Sequence, residues 1–142
     1  MEENDIVRNM NLEKVAAILH EYPILFAYLF GSRARGMEGP LSDLDIALFV
    51  ESKMSPSDRF DLKLRLSSRI SSFSGTPVDL VLLNDAPVPL AYEVIKYGKL
   101  ILCMDPEKRV DYETFVLRKY LDRRFYDKRY SEQNLARIAR GQ

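Results

Sequence analysis

Asp43 and Asp45 stand two residues apart at the head of an otherwise apolar run that ends at Val50. The run reads as a strand over 43–50. In a strand alternate residues share a face, so both carboxylates point one way and Leu44 points the other. Two like charges held side by side repel unless something cationic lies between them. Oxygen-only ligands of this kind suit Mg2+, which takes a couple of carboxylates together with phosphate oxygens and water. The alternative is that both aspartates merely close a turn, which fits Asp43 alone better than it fits the pair.

Twelve residues before Asp43 begins the segment Gly31-Ser32-Arg33-Ala34-Arg35-Gly36. It directly follows Ile24–Phe30, a continuous apolar run read as a buried strand. A short helix starting at Ser32 would present unpaired backbone N–H groups to an anion. Gly31 would let a phosphate approach closely, and the Ser32 hydroxyl adds a donor. Ser32 could instead be a plain helix cap. Against that, a capping box wants Glu or Gln at position 35, where the chain has Arg35. Arg33 and Arg35 also put positive charge in a first helical turn, where the helix dipole disfavours it by about 0.3–1 kcal/mol each. A bound triphosphate reverses that sign. Arg35 reads equally well as a solvated surface residue.

Asp79 supplies a third carboxylate, inside the otherwise apolar run Val78–Leu83. A charge there is expensive unless paired or metal-bound, or unless the strand is an edge and the aspartate faces water. If this strand lies beside the one carrying Asp43 and Asp45, three carboxylates converge. Such a set can hold two metal ions about 4 Å apart, a clamp for in-line displacement at phosphorus.

The rest of the chain fits around these segments. Leu12, Val15, Ala16 and Leu19 recur at helical spacing and predict a helix over 11–20, stopped by Pro23. Ser55-Pro56 is a cap followed by a first-turn proline, and Leu62, Leu66, Ile70 and Phe73 form the apolar stripe of the helix it opens. Gly75-Thr76-Pro77 turns the chain into the Asp79 strand. A helix over 90–97 follows, with Gly98 expected as the left-handed residue that stops it. Lys99–Cys103 is a fourth strand. Asp105-Pro106 opens a last helix, expected to reach about Tyr130, with Ser131 capping a further short one. Its Tyr112, Val116 and Tyr120 form one apolar row. Leu117, Leu121 and Phe125 form a second, read first as core packing and otherwise as a surface for a partner or a second copy of this chain. These elements predict an α/β (α+β) fold: a small mixed sheet flanked by helices, with a core over 1–104 and a helical extension over 105–142.

Composition narrows the function classes. Lys plus Arg and Asp plus Glu both number 21, and this balance speaks against a direct nucleic-acid coat. The single cysteine, Cys103, has no internal disulfide partner and reads as a buried strand residue. The acidic start and the shortness of the longest apolar run predict a cytoplasmic chain without a membrane segment. His20, the only histidine, lies near a helix end far from the aspartates and reads as structural or surface.

Gly31-Ser32, ten intervening residues, then Asp43 and Asp45 resemble the signature of the DNA-polymerase-beta-like nucleotidyltransferases, with Asp79 at the place of the family's later carboxylate. The resemblance covers about 24–83. The segment Tyr92–Lys99 and the helical tail resemble more closely the minimal nucleotidyltransferases, the antitoxin half of HEPN/MNT toxin–antitoxin pairs. What that implies is specific. Gly31, Ser32 and Arg33 would bind the nucleotide. Asp43, Asp45 and Asp79 would be the catalytic and metal-ligating residues. Two Mg2+ ions would serve as cofactor, ATP as AMP donor, and a tyrosine of a HEPN-type ribonuclease toxin as acceptor. Two alternatives stand beside this: transfer to a small molecule such as an aminoglycoside, and an antitoxin that masks its toxin by binding alone.

Overall fold

A computed structural model of the chain describes residues 12–31 and 44–139, with side chains of the last helix described as far as Arg123. Residues 12–19 form helix α1. Then follow β1 (Ile24–Phe30), β2 (Leu44–Val50), α2 (Pro56–Ser74), β3 (Val78–Leu82), α3 (Val88–Tyr97), β4 (Lys99–Cys103) and α4 (Pro106–Ala139). The four strands make one sheet in the order β3-β2-β1-β4. β1 runs antiparallel to both β2 and β4, while β2 and β3 are parallel, so the sheet is mixed. A parallel pair needs a crossover, and α2 supplies it between β2 and β3.

Strand alternation divides the core in two. The even-numbered side chains of β2 and β3, including Leu44, Ile46, Leu48 and Leu80, pack with Val15 and Leu19 of α1 and with Leu62, Leu66 and Ile70 of α2. Phe26 and Tyr28 of β1, with Ala47, face the other way and pack with Ala91, Val94 and Val116 of α3 and α4. Each sheet face thus has its own pair of helices, the expected sheet flanked by helices. No helix among the described residues is long and apolar enough to cross a membrane.

Local signals act as read at α2. The Ser55 side chain accepts a hydrogen bond from the Asp58 N–H at 3.1 Å, proline fills the first turn, and Gly75 closes the helix with φ 72°. Elsewhere the structure corrects the sequence reading. Gly98 is not left-handed: at φ −74° and ψ 160° its backbone is extended. Its smallness matters for space, because a Cβ there would lie 2.2 Å from the Val94 carbonyl oxygen. Phe73 continues the α2 stripe in spacing only. It is exposed, with the Lys14 ammonium 5.3 Å from its ring centre. The last helix neither ends near Tyr130 nor restarts at Ser131; it is one element of 34 residues. Its Tyr112–Val116–Tyr120 row packs inward, with Tyr120 stacked on Tyr92. Leu117 and Leu121 are exposed rather than core, and Phe125 lies outside the described side chains. Cys103 is half-buried and free.

Two tyrosines carry polar ends into the α3/α4 side of the core. Tyr28 donates to Glu113, and Arg109 donates to the same carboxylate oxygen at 3.1 Å. Tyr112 donates to the Leu83 carbonyl at 3.0 Å, its ring against Phe26 and Phe49. Burial, with Glu113 beside it, pushes the Tyr28 phenol above its ordinary range, and burial pushes Tyr112 up to about 12. Both groups hold their protons more tightly folded than unfolded. Their stabilising effect is therefore complete below the ordinary value of 10.0 and is lost as pH climbs through the raised folded values. Urea midpoints should stay level up to about pH 10 and fall above it. Tyr112→Phe should lower stability at neutral pH by about 0.5–1.5 kcal/mol. It should also make the alkaline fall shallower. An alkaline fall as steep as in the parent would show that Tyr112 does not contribute to it.

Candidate active site

One end of the sheet gathers the polar residues. β1 and β2 pair so that Phe30 lies opposite Asp45, which brings the next residue, Gly31, over the head of β2. β2 and β3 pair so that Asp45 lies opposite Asp79. Neighbouring strands stand about 4.8 Å apart, and side chains in register point to the same face. Asp45 and Asp79 therefore project abreast on the α3/α4 side of the sheet. Asp45 is half-buried and Asp79 is exposed.

Gly31 is fitted to Asp45 by shape. Its φ is +78°, a conformation that side-chain-bearing residues rarely adopt, and a Cβ built on it would lie 2.2 Å from Asp45 Oδ2. The Asp45 carboxylate thus lies against bare backbone, where a larger residue would displace it. Gly31, Asp45 and Asp79 follow one another across β1, β2 and β3 in that order.

The third predicted carboxylate, Asp43, and the phosphate-loop residues Ser32, Arg33 and Arg35 lie outside the described residues. Among the described residues no three Asp, Glu, His or Cys side chains cluster closely enough to hold a metal ion. Two carboxylates held abreast, one seated on glycine, nonetheless suit a hard divalent cation. The sequence reading took Asp79 as a charge in an apolar strand. Its strand is the sheet edge, so the charge meets water and costs little. His20 is exposed at the turn after α1.

Sequence reasoning passed over the wall beside Asp79. A groove of about 410 Å³ runs along β3, lined by Asp79, Arg59, Phe60, Lys63 and the start of α3. Arg59 is anchored there by Asp85 at 2.9 Å. The one usable signal was Phe60, an aromatic on the polar side of α2 that is 63% exposed.

The polymerase beta nucleotidyltransferase family model matches residues 13–107, more than half of the chain. The chain belongs to this family. Over 95 residues it is 30% identical to protein adenylyltransferase MntA of Shewanella oneidensis, the match covering 66% of each chain. It thus spans about two thirds of that relative's length. The fold is also that of a chain in solved toxin–antitoxin complexes. One, with AMP-PNP, superposes with a TM-score of 0.72 at 21% identity, over 88% of this chain and 98% of that one. Another, tri-AMPylated HEPN toxin of Shewanella oneidensis with MNT antitoxin, gives 0.67 at 19% identity, over 89% and 98%. The family match stops two residues into α4, so nearly all of that helix lies beyond it.

A paired substitution separates shape from backbone strain. Gly31 and Gly75 both have positive φ, but nothing lies within 4 Å of a Cβ built on Gly75. Alanine at either site should cost about 1–2 kcal/mol from the left-handed backbone. Only Gly31→Ala should also abolish nucleotidyl transfer, because it displaces Asp45. Equal activity in the two variants, each assayed well below its melting temperature, would show that the Gly31–Asp45 contact has no part in the chemistry.

Proposed function

We propose that this chain is a Mg2+-dependent adenylyltransferase that moves AMP from ATP to a tyrosine hydroxyl of a HEPN-type toxin and so acts as its antitoxin. The observation that carries the reading is the placement of Asp45 and Asp79 abreast in adjacent strands, with Gly31 against Asp45. The similarity to adenylyltransferase MntA supports the donor, and the AMP-bearing HEPN toxin in a complex of the same fold supports the acceptor.

In this reading Gly31, Ser32 and Arg33 hold the triphosphate. Asp43, Asp45 and Asp79 hold two Mg2+ ions, which when bound neutralise charge on the phosphates and sharpen the acceptor hydroxyl as a nucleophile. Asp79, on the edge strand, accepts the hydroxyl proton. The acceptor oxygen bonds to the α-phosphorus as the bond from that phosphorus to the bridging oxygen breaks, and pyrophosphate leaves. Residues 105–142 serve as an extension of the 1–104 core, anchored by the inward row of α4. Its outward Leu117 and Leu121 favour a second contribution, masking of the toxin by binding. Transfer to an aminoglycoside has no such observation behind it.

The full chain, incubated with its HEPN partner and ATP labelled at the α-phosphate, should label the partner and raise its mass by whole AMP units. Asp79→Asn, nearly isosteric, should stay as stable as the parent while transfer falls by about 10²–10⁴. ATP affinity should fall steeply when EDTA removes the divalent cation, since carboxylates and triphosphate are then like charges with no metal between them. An unlabelled partner would exclude the adenylyltransferase reading. Near-normal transfer by Asp79→Asn would take that residue out of the mechanism.

A further inference from the structure

β3 lies at the edge of the sheet, and its outer backbone groups can be assigned one by one. The Leu83 N–H donates to the Leu48 carbonyl at 2.7 Å, and the Pro77 carbonyl accepts from the Leu44 N–H at 3.0 Å. Backbone groups alternate sides along a strand, so the odd-numbered residues of β3 bond inward to β2 and the even-numbered ones face outward. Of these, the Leu82 carbonyl is taken by the Asp85 N–H at 3.2 Å. The Leu80 N–H and carbonyl and the Leu82 N–H then face the groove whose lining includes Asp79, Phe60 and Lys63. From Asp79 to Leu82 the floor is about 10 Å long, the span of about four residues of extended chain end to end.

The order of the site across the sheet decides what this edge is for. Gly31, then Asp45, then Asp79, then the groove succeed one another from β1 outward. In-line displacement needs the nucleophile opposite the leaving group. With the triphosphate on the Gly31 side, the acceptor must come from the groove side, past Asp79. A flexible polypeptide satisfies an open edge by adding a strand, its backbone supplying affinity and its alternate side chains specificity. Phe60 gives one such side chain an apolar wall, and Lys63 gives the segment a cation to pair with.

We infer that the open edge of β3 binds an extended segment of the acceptor protein as an added strand, which delivers the acceptor hydroxyl to Asp79. This rests on the proposed adenylyl transfer to a protein. The occupant is a polypeptide segment carrying the hydroxyl, not nucleotide and not a second copy of this chain.

The test is amide hydrogen exchange of the full chain, free and in complex with its HEPN partner. On complex formation the Leu80 amide should exchange about tenfold more slowly or better, while the Val81 amide, which faces β2, changes little. Phe60→Ser and Lys63→Gln, outside the proposed chemistry, should raise KM for the HEPN acceptor by about tenfold together and leave ATP affinity unchanged. A complex that transfers AMP while Leu80 exchanges at its free rate overturns the inference. So does Leu80 protection that appears in the free chain and grows with its concentration, which would mark a second copy as the occupant. Failure of the parent chain to label the HEPN protein would instead defeat the underlying adenylyl-transfer reading, and this inference with it.

Discussion

The antiparallel register between β1 and β2 sets the geometry on which the rest of the site depends. It pairs Phe30 with Asp45, so the chain leaving β1 must cross the head of β2 at the carboxylate. Only a residue without a side chain fits that crossing, and the left-handed turn it makes is the one glycine adopts without strain. A shift of one residue would turn the Asp45 side chain into the α1/α2 core, where Leu44 and Ile46 now lie. The hydrophobic pattern of β2 thus fixes the register, and the register fixes the carboxylate.

The second constraint is the parallel pairing of β2 with β3. It is non-local, closed by the crossover helix α2, and held by Leu62, Leu66 and Ile70 packing beneath both strands. Through it the apolar stripe of α2, packed on the opposite face of the sheet from the Asp79 side chain, decides where Asp79 stands. The packed residues on one face of the sheet and the two carboxylates on the other are two aspects of the same alternation.

Much of this was legible in the residues. Strands β1 and β4 run between the bounds their apolar runs predict, and the Ser55-Pro56 entry to α2 needed only local chemistry. What escaped was set by tertiary partners. Nothing local to Val78–Leu82 says whether it is an edge, so a paired or metal-bound Asp79 and one facing water both stood open until the sheet order put its strand at the edge. Gly98 has the composition of a helix stop, but its small size answers to the Val94 carbonyl. The α4 rows looked alike in hydrophobicity, and only the location of α3 and the sheet decides that Tyr112, Val116 and Tyr120 pack while Leu117 and Leu121 do not. At the site itself, the sequence placed Asp45 beside Asp79 only on the condition that their strands are neighbours, and the sheet order meets that condition.

The exposed charge at the head of β3 has a bearing beyond the proposed catalysis. Unprotected strand edges are where identical chains stack and aggregate, and proteins blunt them by keeping edge strands short and placing charges on them. β3 is five residues long and carries Asp79. Two copies meeting edge to edge in parallel register would set their acids against each other. The same carboxylate can therefore guard solubility, and selection can retain it on that ground alone. In a descendant that had lost its chemistry, an acid at this position would survive as a gatekeeper, and its presence would be no proof that the enzyme still turned over.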